Sequence, residues 1–257
     1  AEVAIPRPSA DEVAKINAAL EQFVSSNTSA SKDLLKQYAS LIKVQVPRDN
    51  PCVRPTSGGV RASRHDAFVE IAKNQQFDIL FHGDSITDWW SQSGKSVFDK
   101  YFGDMKVANF AVAGDTTQGL LWGLQNGEGQ GNKPKAIMLM IGTNSTGSCS
   151  GAEIAEGVGA VILELRKDFP DAKILLLAIF PRGANASDRN RVVNEEANAI
   201  IKKLDDGKNV FFMNINDKFL NPDGSLKGFG GDNLHPNAEG YEIWASAVAD
   251  KLKSMVK

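Results

Sequence analysis

Hydrophobic and polar positions follow different patterns on the two sides of residue 60. On the N-terminal side, apolar residues recur at helical spacing: Val13, Ile16, Leu20 and Val24. Ser9 and Glu12 stand in the order of a capping box, which predicts that this helix begins just after Ser9. A second helical pattern covers residues 34–41, and a loop containing proline and glycine follows over residues 47–59. We therefore expect residues 1–60 to form an N-terminal helical extension.

From about residue 61 short apolar runs alternate with helical patterns. The runs that predict strands cover residues 77–82, 106–112, 136–141, 173–179 and 209–214. The helical patterns cover residues 64–75, a stretch from about 116, 151–168, 187–205 and 236–254. Repeated strand–helix units predict a five-stranded parallel sheet covered by helices on both faces. We therefore expect one α/β domain over residues 61–257.

Composition narrows the class of protein. The 257 residues are 42% hydrophobic, which is enough to build a full core. A net charge of -2 argues against a general nucleic-acid binder, which would carry a basic surface stripe. No apolar stretch is long enough to span a bilayer. These properties leave a small-molecule or glycan substrate open as the partner.

The N-terminus and the cysteines bear on the compartment. The sequence starts at Ala1 without a hydrophobic leader, as in a trimmed chain or an exported protein that has lost its signal peptide. We expect export to the periplasm or medium, and a cytoplasmic location stays open. Cys52 and Cys149 could form one bridge in an exported protein, and their spacing does not suit a metal site.

Candidate site residues lie just past the predicted strands, where parallel α/β sheets place their active sites. They are Ser85, Gly114, Asn144 and Arg182. A serine hydroxyl needs a base within hydrogen-bond reach before it can act as a nucleophile. The backbone N–H groups of Ser85 and Gly114, together with the Asn144 amide, could stabilise the oxyanion of an attacked ester.

The base must come from three histidines. His82 lies inside the first predicted strand, where alternation turns it away from Ser85, so we interpret it as a core residue. His65 lies in a predicted helix and is interpreted as a surface residue. His235 stands in a loop rich in glycine and aspartate, which leaves it as the best base. Asp232, three residues earlier, can accept a bond from its imidazole.

Four sequence blocks in this order resemble the SGNH (GDSL) hydrolase superfamily. They are Gly83-Asp84-Ser85, Gly114, Gly142-Thr143-Asn144 and Asp232-Asn233-Leu234-His235. Within it, segments such as residues 109–117 are most similar to the catalytic subunits of platelet-activating-factor acetylhydrolase. One departure is Ala113, where the family usually has glycine.

The resemblance implies a flavodoxin-like three-layer α/β/α fold and a serine esterase that needs neither metal nor cofactor. It implies Ser85 as nucleophile, His235 as base and Asp232 as the third triad member. It assigns the oxyanion hole to Ser85, Gly114 and Asn144. By the same resemblance, a small acyl pocket is walled by Ile86, Thr143 and Leu234. Members of this branch pair, so the chain is expected to be a monomer or a homodimer.

Two further positions leave alternatives open. Trp89 and Trp90 follow the nucleophile and are either core residues or a stacking wall for a sugar or aromatic substrate. Arg182 either holds an anionic group of the substrate or pairs with a nearby carboxylate.

These observations predict an acetylesterase-like enzyme that removes short acyl groups from an O-acetylated carbohydrate. A lipid or lysophospholipid esterase and an acyltransferase are alternatives with the same residues. An inactive carbohydrate-binding protein is the alternative from another class.

Overall fold

The chain, described by a computed structural model, is divided into two compact units. The described residues are 9–44, 49–57 and 59–257, so the predicted loop over 47–59 lies partly outside them. The smaller unit ends at Asp49 and the larger one starts at Asn50. Within the larger unit, the Asn50 side chain donates to the carbonyl of Glu153 at 2.9 Å. The larger unit therefore begins ahead of the predicted boundary at residue 60.

The smaller unit contains two helices, α1 (Ala10–Ser26) and α2 (Lys32–Gln37). The predicted capping box is confirmed, because the Ser9 hydroxyl accepts from the Glu12 N–H at 3.2 Å and Glu12 accepts from the Ser9 N–H at 2.8 Å. The second helix ends at Gln37, earlier than the pattern over 34–41 predicts. The Asn17 side chain bonds both backbone groups of Val44, which fixes the end of this segment onto α1.

The larger unit is built on a parallel sheet of five strands in the order β2-β1-β3-β4-β5. The strands are β1 (Ile79–Gly83), β2 (Val107–Asn109), β3 (Ala136–Met140), β4 (Lys173–Leu177) and β5 (Val210–Met213). The helices are α3 (Gly59–Asn74), α4 (Ser85–Asp88), α5 (Lys95–Phe102), α6 (Thr117–Gly123), α7 (Gly151–Asp168), α8 (Arg189–Ile201) and α9 (Ala238–Met255). The predicted three-layer α/β/α fold with a parallel sheet is confirmed.

Short 3-10 turns complete the larger unit, at Pro51–Val53, Trp89–Ser91, Thr143–Ser145, Lys202–Leu204 and Asn216–Phe219. A π-turn at Leu124–Glu128 extends α6. The strand β2 is shorter than the predicted run of 106–112. At its end the Asn109 side chain donates to the Thr87 carbonyl at 2.8 Å and accepts from the Ala111 N–H at 3.0 Å.

Alternate strand residues face two separate apolar layers, because successive side chains of a strand point to opposite faces. On one face, Leu80 packs with residues of α3, α6, α7 and α8. On the other, Ile79 and Phe81 pack with residues of α5 and α9. This second layer is rich in aromatic residues, with the Trp90 ring 4.8 Å from that of Trp244. Both faces of the sheet are therefore covered, which explains why the central strand β3 is apolar and buried at every position.

The described residues contain no helix with both the length and the apolar character needed to cross a bilayer.

The start of α7 offers a test of local stability. Ser150 caps this helix by accepting from the Glu153 N–H at 3.3 Å. We expect Ser150→Ala to lower the free energy of unfolding by about 1 kcal/mol, because one N–H of the first turn loses its acceptor. Ser246→Ala, in the exposed interior of α9, is the matched control and should change it by less than about 0.5 kcal/mol. Urea unfolding measures both, and equal effects of the two variants would contradict a capping role.

Candidate active site

Ser85 begins the short helix α4 directly after β1. The Asp84 side chain caps this helix by accepting from the Ile86 N–H at 3.0 Å. Gly83 is needed at the strand end, because a Cβ there would lie 2.6 Å from the Thr87 hydroxyl. The turn therefore presents Ser85 at the carboxyl edge of the sheet, with the side chain nearly buried.

The structure brings Ser85, His235 and Asp232 into one hydrogen-bonded row. Ser85 Oγ lies 2.8 Å from His235 Nε2, and His235 Nδ1 lies 2.6 Å from Asp232 Oδ2. An ionised carboxylate can only accept, so Nδ1 carries the proton and Nε2 is left to accept from the serine. This tautomer is the one that a general base needs.

Asp232 is held in its ionised form by its local turn. Partial burial alone would raise its pKa. Hydrogen bonds from the His235 ring and from the backbone N–H groups of Leu234 and His235 outweigh that effect and lower the pKa to about 2. Asn233 adopts a positive φ of 52°, which folds the carboxylate back toward the imidazole. The carboxylate therefore stays charged at any pH at which the protein would work.

The two tryptophans after Ser85 have different surroundings. Trp90 is buried and belongs to the aromatic layer under α9. Trp89 is half-buried and stacks on the His235 ring, with 4.0 Å between centroids and 26° between planes. One of the pair is thus a core residue, while the other supports one face of the imidazole.

The turn after β2 carries Gly114 to the same edge. Gly114 has a φ of 82°, which favours glycine. The Asn144 side chain lies next to this turn, since its Nδ2 donates to the Asp115 carbonyl at 2.8 Å. Within the described residues, the backbone N–H of Gly114 has no hydrogen-bond partner. The three predicted oxyanion groups thus stand on loops that leave neighbouring strands of the sheet.

Among the described residues, Arg182 forms no direct ion pair with a carboxylate, which was one of the two predicted alternatives, although its charge helps to lower the pKa of buried Asp84. Its Nη1 donates to the carbonyl and hydroxyl of Thr143, at 3.1 and 3.2 Å. Asn194 also bonds the Thr143 hydroxyl, at 3.2 Å. These two side chains hold the Thr143 turn, and with it the neighbouring Asn144.

The residues predicted to wall the acyl pocket differ in exposure. Ile86 and Thr143 are buried, and Ile86 is part of the apolar layer under α9. Leu234 is half-buried and packs against the same layer.

The other two histidines lie outside this row. His82 is fully buried, as predicted, and burial holds its pKa well below the usual value. The surface assignment of His65 is wrong, because its Nδ1 lies 2.8 Å from Glu128 and its ring lies 4.5 Å from that of Trp122. Helical spacing could not show that the turn after α6 would cover this face of α3.

Cys52 and Cys149 are buried free thiols in this structure, without a bridge. Burial raises the pKa of Cys52 to about 12, and the neighbouring Cys149 adds to the effect. A thiol with so high a pKa is a poor nucleophile at neutral pH. In the described part of the chain, no three His, Cys, Asp or Glu side chains group closely enough to hold a metal ion.

Two cavities differ in their relation to Ser85. One of about 680 Å³ lies at the opposite edge of the sheet, near Lys135 and Lys173, and its walls contain no serine, threonine, cysteine or histidine. The other, about 260 Å³, lies beside Gly114 and is lined by Val60, Thr116 and Gln118 among others. Of these two, the smaller cavity is the one that adjoins the candidate site.

Fold and site together define an α/β/α hydrolase with a serine at the carboxyl edge of its sheet. The sequence signature of the GDSL-like Lipase/Acylhydrolase family matches residues 81–243, more than half of the chain. The alpha2 subunit of platelet-activating factor acetylhydrolase IB from Gallus gallus is 33% identical over 167 residues, covering 64% of this chain and 70% of that protein. The chain therefore belongs to the GDSL-like lipase/acylhydrolase family and is an ester hydrolase, as the motif blocks predicted.

Solved structures support the same fold. A GDSL-like lipase from Bacteroides thetaiotaomicron superposes with a TM-score of 0.61 at 16% identity, covering 76% of this chain and 97% of that one. A carbohydrate acetylesterase from Sinorhizobium meliloti gives a TM-score of 0.54 at 19% identity, covering 69% and 98%. At these identities the likeness concerns the fold alone.

The buried Asp84 predicts a pH effect on stability. Burial raises its pKa to about 7, although the Ile86 N–H and Arg182 act in the opposite direction. At pH values between the pKa of Asp84 in the unfolded chain and its raised pKa in the folded protein, only the folded state keeps the carboxyl protonated. The free energy of unfolding should therefore fall as pH rises toward 7. Between pH 5 and pH 8, the Asp84→Asn variant should lose about 3 kcal/mol less free energy of unfolding than wild type does.

Urea unfolding at the two pH values measures this difference. Asp104→Asn, which removes an exposed carboxylate before β2, controls for the lost charge. If Asp84→Asn and wild type lose the same free energy over this interval, Asp84 is already ionised at pH 5.

Proposed function

We propose that the protein is a serine esterase that removes short acyl groups, chiefly acetyl, through an acyl-enzyme intermediate. The observation that carries this proposal is the row from Ser85 Oγ through His235 to Asp232, with contacts of 2.8 and 2.6 Å. Such a row gives a serine hydroxyl both a base and a means to orient that base.

The mechanism has two steps. Ser85 Oγ attacks the ester carbonyl carbon while His235 Nε2 takes the hydroxyl proton. The tetrahedral intermediate then collapses, and His235 gives that proton to the leaving alcohol. In the second step His235 takes a proton from water, the water oxygen attacks the acyl carbon, and the acid leaves as Ser85 recovers its proton.

The oxyanion of each intermediate would be held by three donors: the N–H groups of Ser85 and Gly114 and the Asn144 amide. One hydrogen of Asn144 Nδ2 already bonds the Asp115 carbonyl, which aims the amide and leaves its second hydrogen for the substrate. A donor of this kind is worth about 3 kcal/mol of transition-state stabilisation.

Two observations support a short acyl group. Ile86, which follows Ser85 in the chain, and Thr143 are both buried, as side chains that close a small site would be. The relatives and one structural neighbour are named as acetylhydrolases or an acetylesterase.

For the alcohol part we favour an O-acetylated carbohydrate. The cavity beside Gly114 offers hydroxyl and amide groups from Thr56, Thr116 and Gln118, which suit a polyhydroxy ligand. Trp89, half-buried next to His235, offers an aromatic edge at the same site. An acetylated phospholipid is the second candidate, favoured by the names of the curated relatives. Pairing of two chains stays a prediction.

Hydrolysis of nitrophenyl acetate, butyrate and octanoate tests the mechanism and the acyl group. We expect acetate to give the highest kcat/KM, and Ser85→Ala to lower kcat by about 10⁴-fold or more because the nucleophile is lost. Activity that persists in folded Ser85→Ala would contradict the mechanism. A maximum on octanoate would contradict the small acyl pocket. Acetate release from acetylated xylan, compared with release from vesicles of an acetylated ether phospholipid, then decides the alcohol.

Asp232→Asn tests the role of the carboxylate. The amide can no longer favour the tautomer with the proton on Nδ1, so we expect kcat to fall by about 10³ to 10⁴-fold with little change in KM. Asp223→Asn, which alters another exposed aspartate that bonds its own turn, is the matched control. A loss of less than about tenfold would show that His235 is oriented by other contacts, such as its stacking on Trp89.

A further inference from the structure

A fully buried arginine connects α3 to the turn that carries Gly114. All three nitrogens of the Arg61 guanidinium donate: Nε to Asp115 at 2.7 Å, Nη1 to Glu128 at 2.6 Å and Nη2 to the Phe110 carbonyl at 3.0 Å. Arg61 and Glu128 side chains are 0% exposed and that of Asp115 is 3% exposed. We call these three side chains the Arg61 cluster.

The fold leaves space for this cluster on one face of α6. Gly119 and Gly123 are four residues apart, so they lie on the same face of the helix. A Cβ at Gly123 would lie 2.6 Å from the Glu128 carboxylate and 2.7 Å from Arg61 Cδ. A Cβ at Gly119 would overlap the Asp115 carboxylate. Two glycines inside a helix reduce its stability, so their presence here shows how closely α6 approaches the buried charges.

Asp115 connects the cluster to two of the proposed oxyanion donors. It follows Gly114 directly, and its side chain accepts from both Arg61 and the Thr116 N–H. Its carbonyl accepts from Asn144 Nδ2 at 2.8 Å. Any shift of Asp115 would therefore move the Gly114 N–H and the Asn144 amide together.

A second arginine of α3 holds the other side of Gly114. Arg64 lies 3.1 Å from one oxygen of Asp88, whose other oxygen accepts from the Ala113 N–H at 3.2 Å. Gly114 thus lies between Ala113, whose N–H is bonded to the carboxylate paired with Arg64, and Asp115, which is itself paired with Arg61. Arg64 is 44% exposed on its side chain, so the buried Arg61 is the stronger of the two supports.

We propose that Arg61 is a positioning residue for ester hydrolysis, which acts through Asp115 to hold the Gly114 N–H and the Asn144 amide in the geometry that an oxyanion requires. This inference rests on the proposed function. Oxyanion donors are effective only when they are fixed before the charge develops, and a buried arginine with three bonds fixes a turn more firmly than one neutral contact does.

Stability alone is a weak explanation for the cluster. Burial of an arginine with two carboxylates costs desolvation energy that their mutual attraction often fails to exceed. Burial also raises the pKa of both Asp115 and Glu128, against the attraction of Arg61. The position of the Arg61 cluster next to the Gly114 turn indicates that its benefit is to fix the geometry of that turn.

The test compares Arg61→Lys and Asp115→Asn with wild type on nitrophenyl acetate. Lysine at position 61 keeps the positive charge but cannot donate to all three partners in the geometry of a guanidinium. Asparagine at position 115 keeps an acceptor for the Thr116 N–H but loses the ion pair with Arg61. In both we expect kcat to fall by about tenfold or more with KM within about twofold, because a displaced donor weakens only the transition state. Arg166→Gln is the matched control, since Arg166 also bonds several backbone carbonyls, at the far end of α7.

Two further readouts separate positioning from general damage. A trifluoromethyl ketone forms a tetrahedral adduct with the serine. Its inhibition constant should therefore rise by the same factor by which kcat/KM falls. The downfield proton between His235 Nδ1 and Asp232, observed by NMR, should keep its shift because that half of the site is untouched. Urea unfolding verifies that each variant is folded. If Arg61→Lys does not fold, Asp115→Asn alone carries the test.

The outcomes are distinct. If folded variants keep wild-type kcat and inhibitor affinity, the inference is overturned and the cluster is purely structural. The inference is also overturned if the His235 proton shifts, since the loss of activity would then arise in the base. If Ser85→Ala keeps its activity, the proposed function fails, whatever the Arg61 variants do.

Discussion

The site depends on the position of β1 between two parallel partners. Its residues pair with β2 on one side and with β3 on the other, all running in the same direction. The loops after these three strands must therefore leave at one edge of the sheet. They carry Ser85, Gly114 and Asn144, which are far apart in sequence. Parallel pairing of the strands therefore brings these three residues to the same edge of the sheet.

The two faces of the sheet then support different halves of the site. On the α9 side the interactions are apolar and aromatic, and the Tyr241 hydroxyl donates to the Ile86 carbonyl at 2.7 Å, which joins α9 to the short helix α4. The loop before α9 brings His235 to Ser85. On the α3 and α6 side the apolar layer also contains buried ion pairs, which Arg61 forms with Asp115 and Glu128 next to Gly114. Packing thus places the proposed base His235, while buried charge supports the turn that carries the proposed oxyanion donor Gly114.

Sequence reasoning succeeded where a feature is local. Strand positions, the capping box at Ser9 and each single motif block all depend on residues close together in the chain. It failed where a partner comes from a distant segment. Nothing near His65 shows that Glu128 would meet it, and nothing near Arg182 shows that Thr143 would accept from it. One sequence signal for the Arg61 cluster was missed: two glycines stand four residues apart on α6. Their meaning becomes clear only when the fold shows which buried side chains lie against them.

The two halves of the site also differ in how firmly they are held, and the chemistry explains the difference. Asp232 is half exposed, and its bonds to the protein lie within its own short turn. The proposed base must accept a proton at one oxygen and deliver it to another, so some freedom of the ring is useful. The proposed oxyanion donors have the opposite requirement, because reorganising them during the reaction would cost the energy that they are meant to supply. A local turn suits the first task, and a buried arginine suits the second.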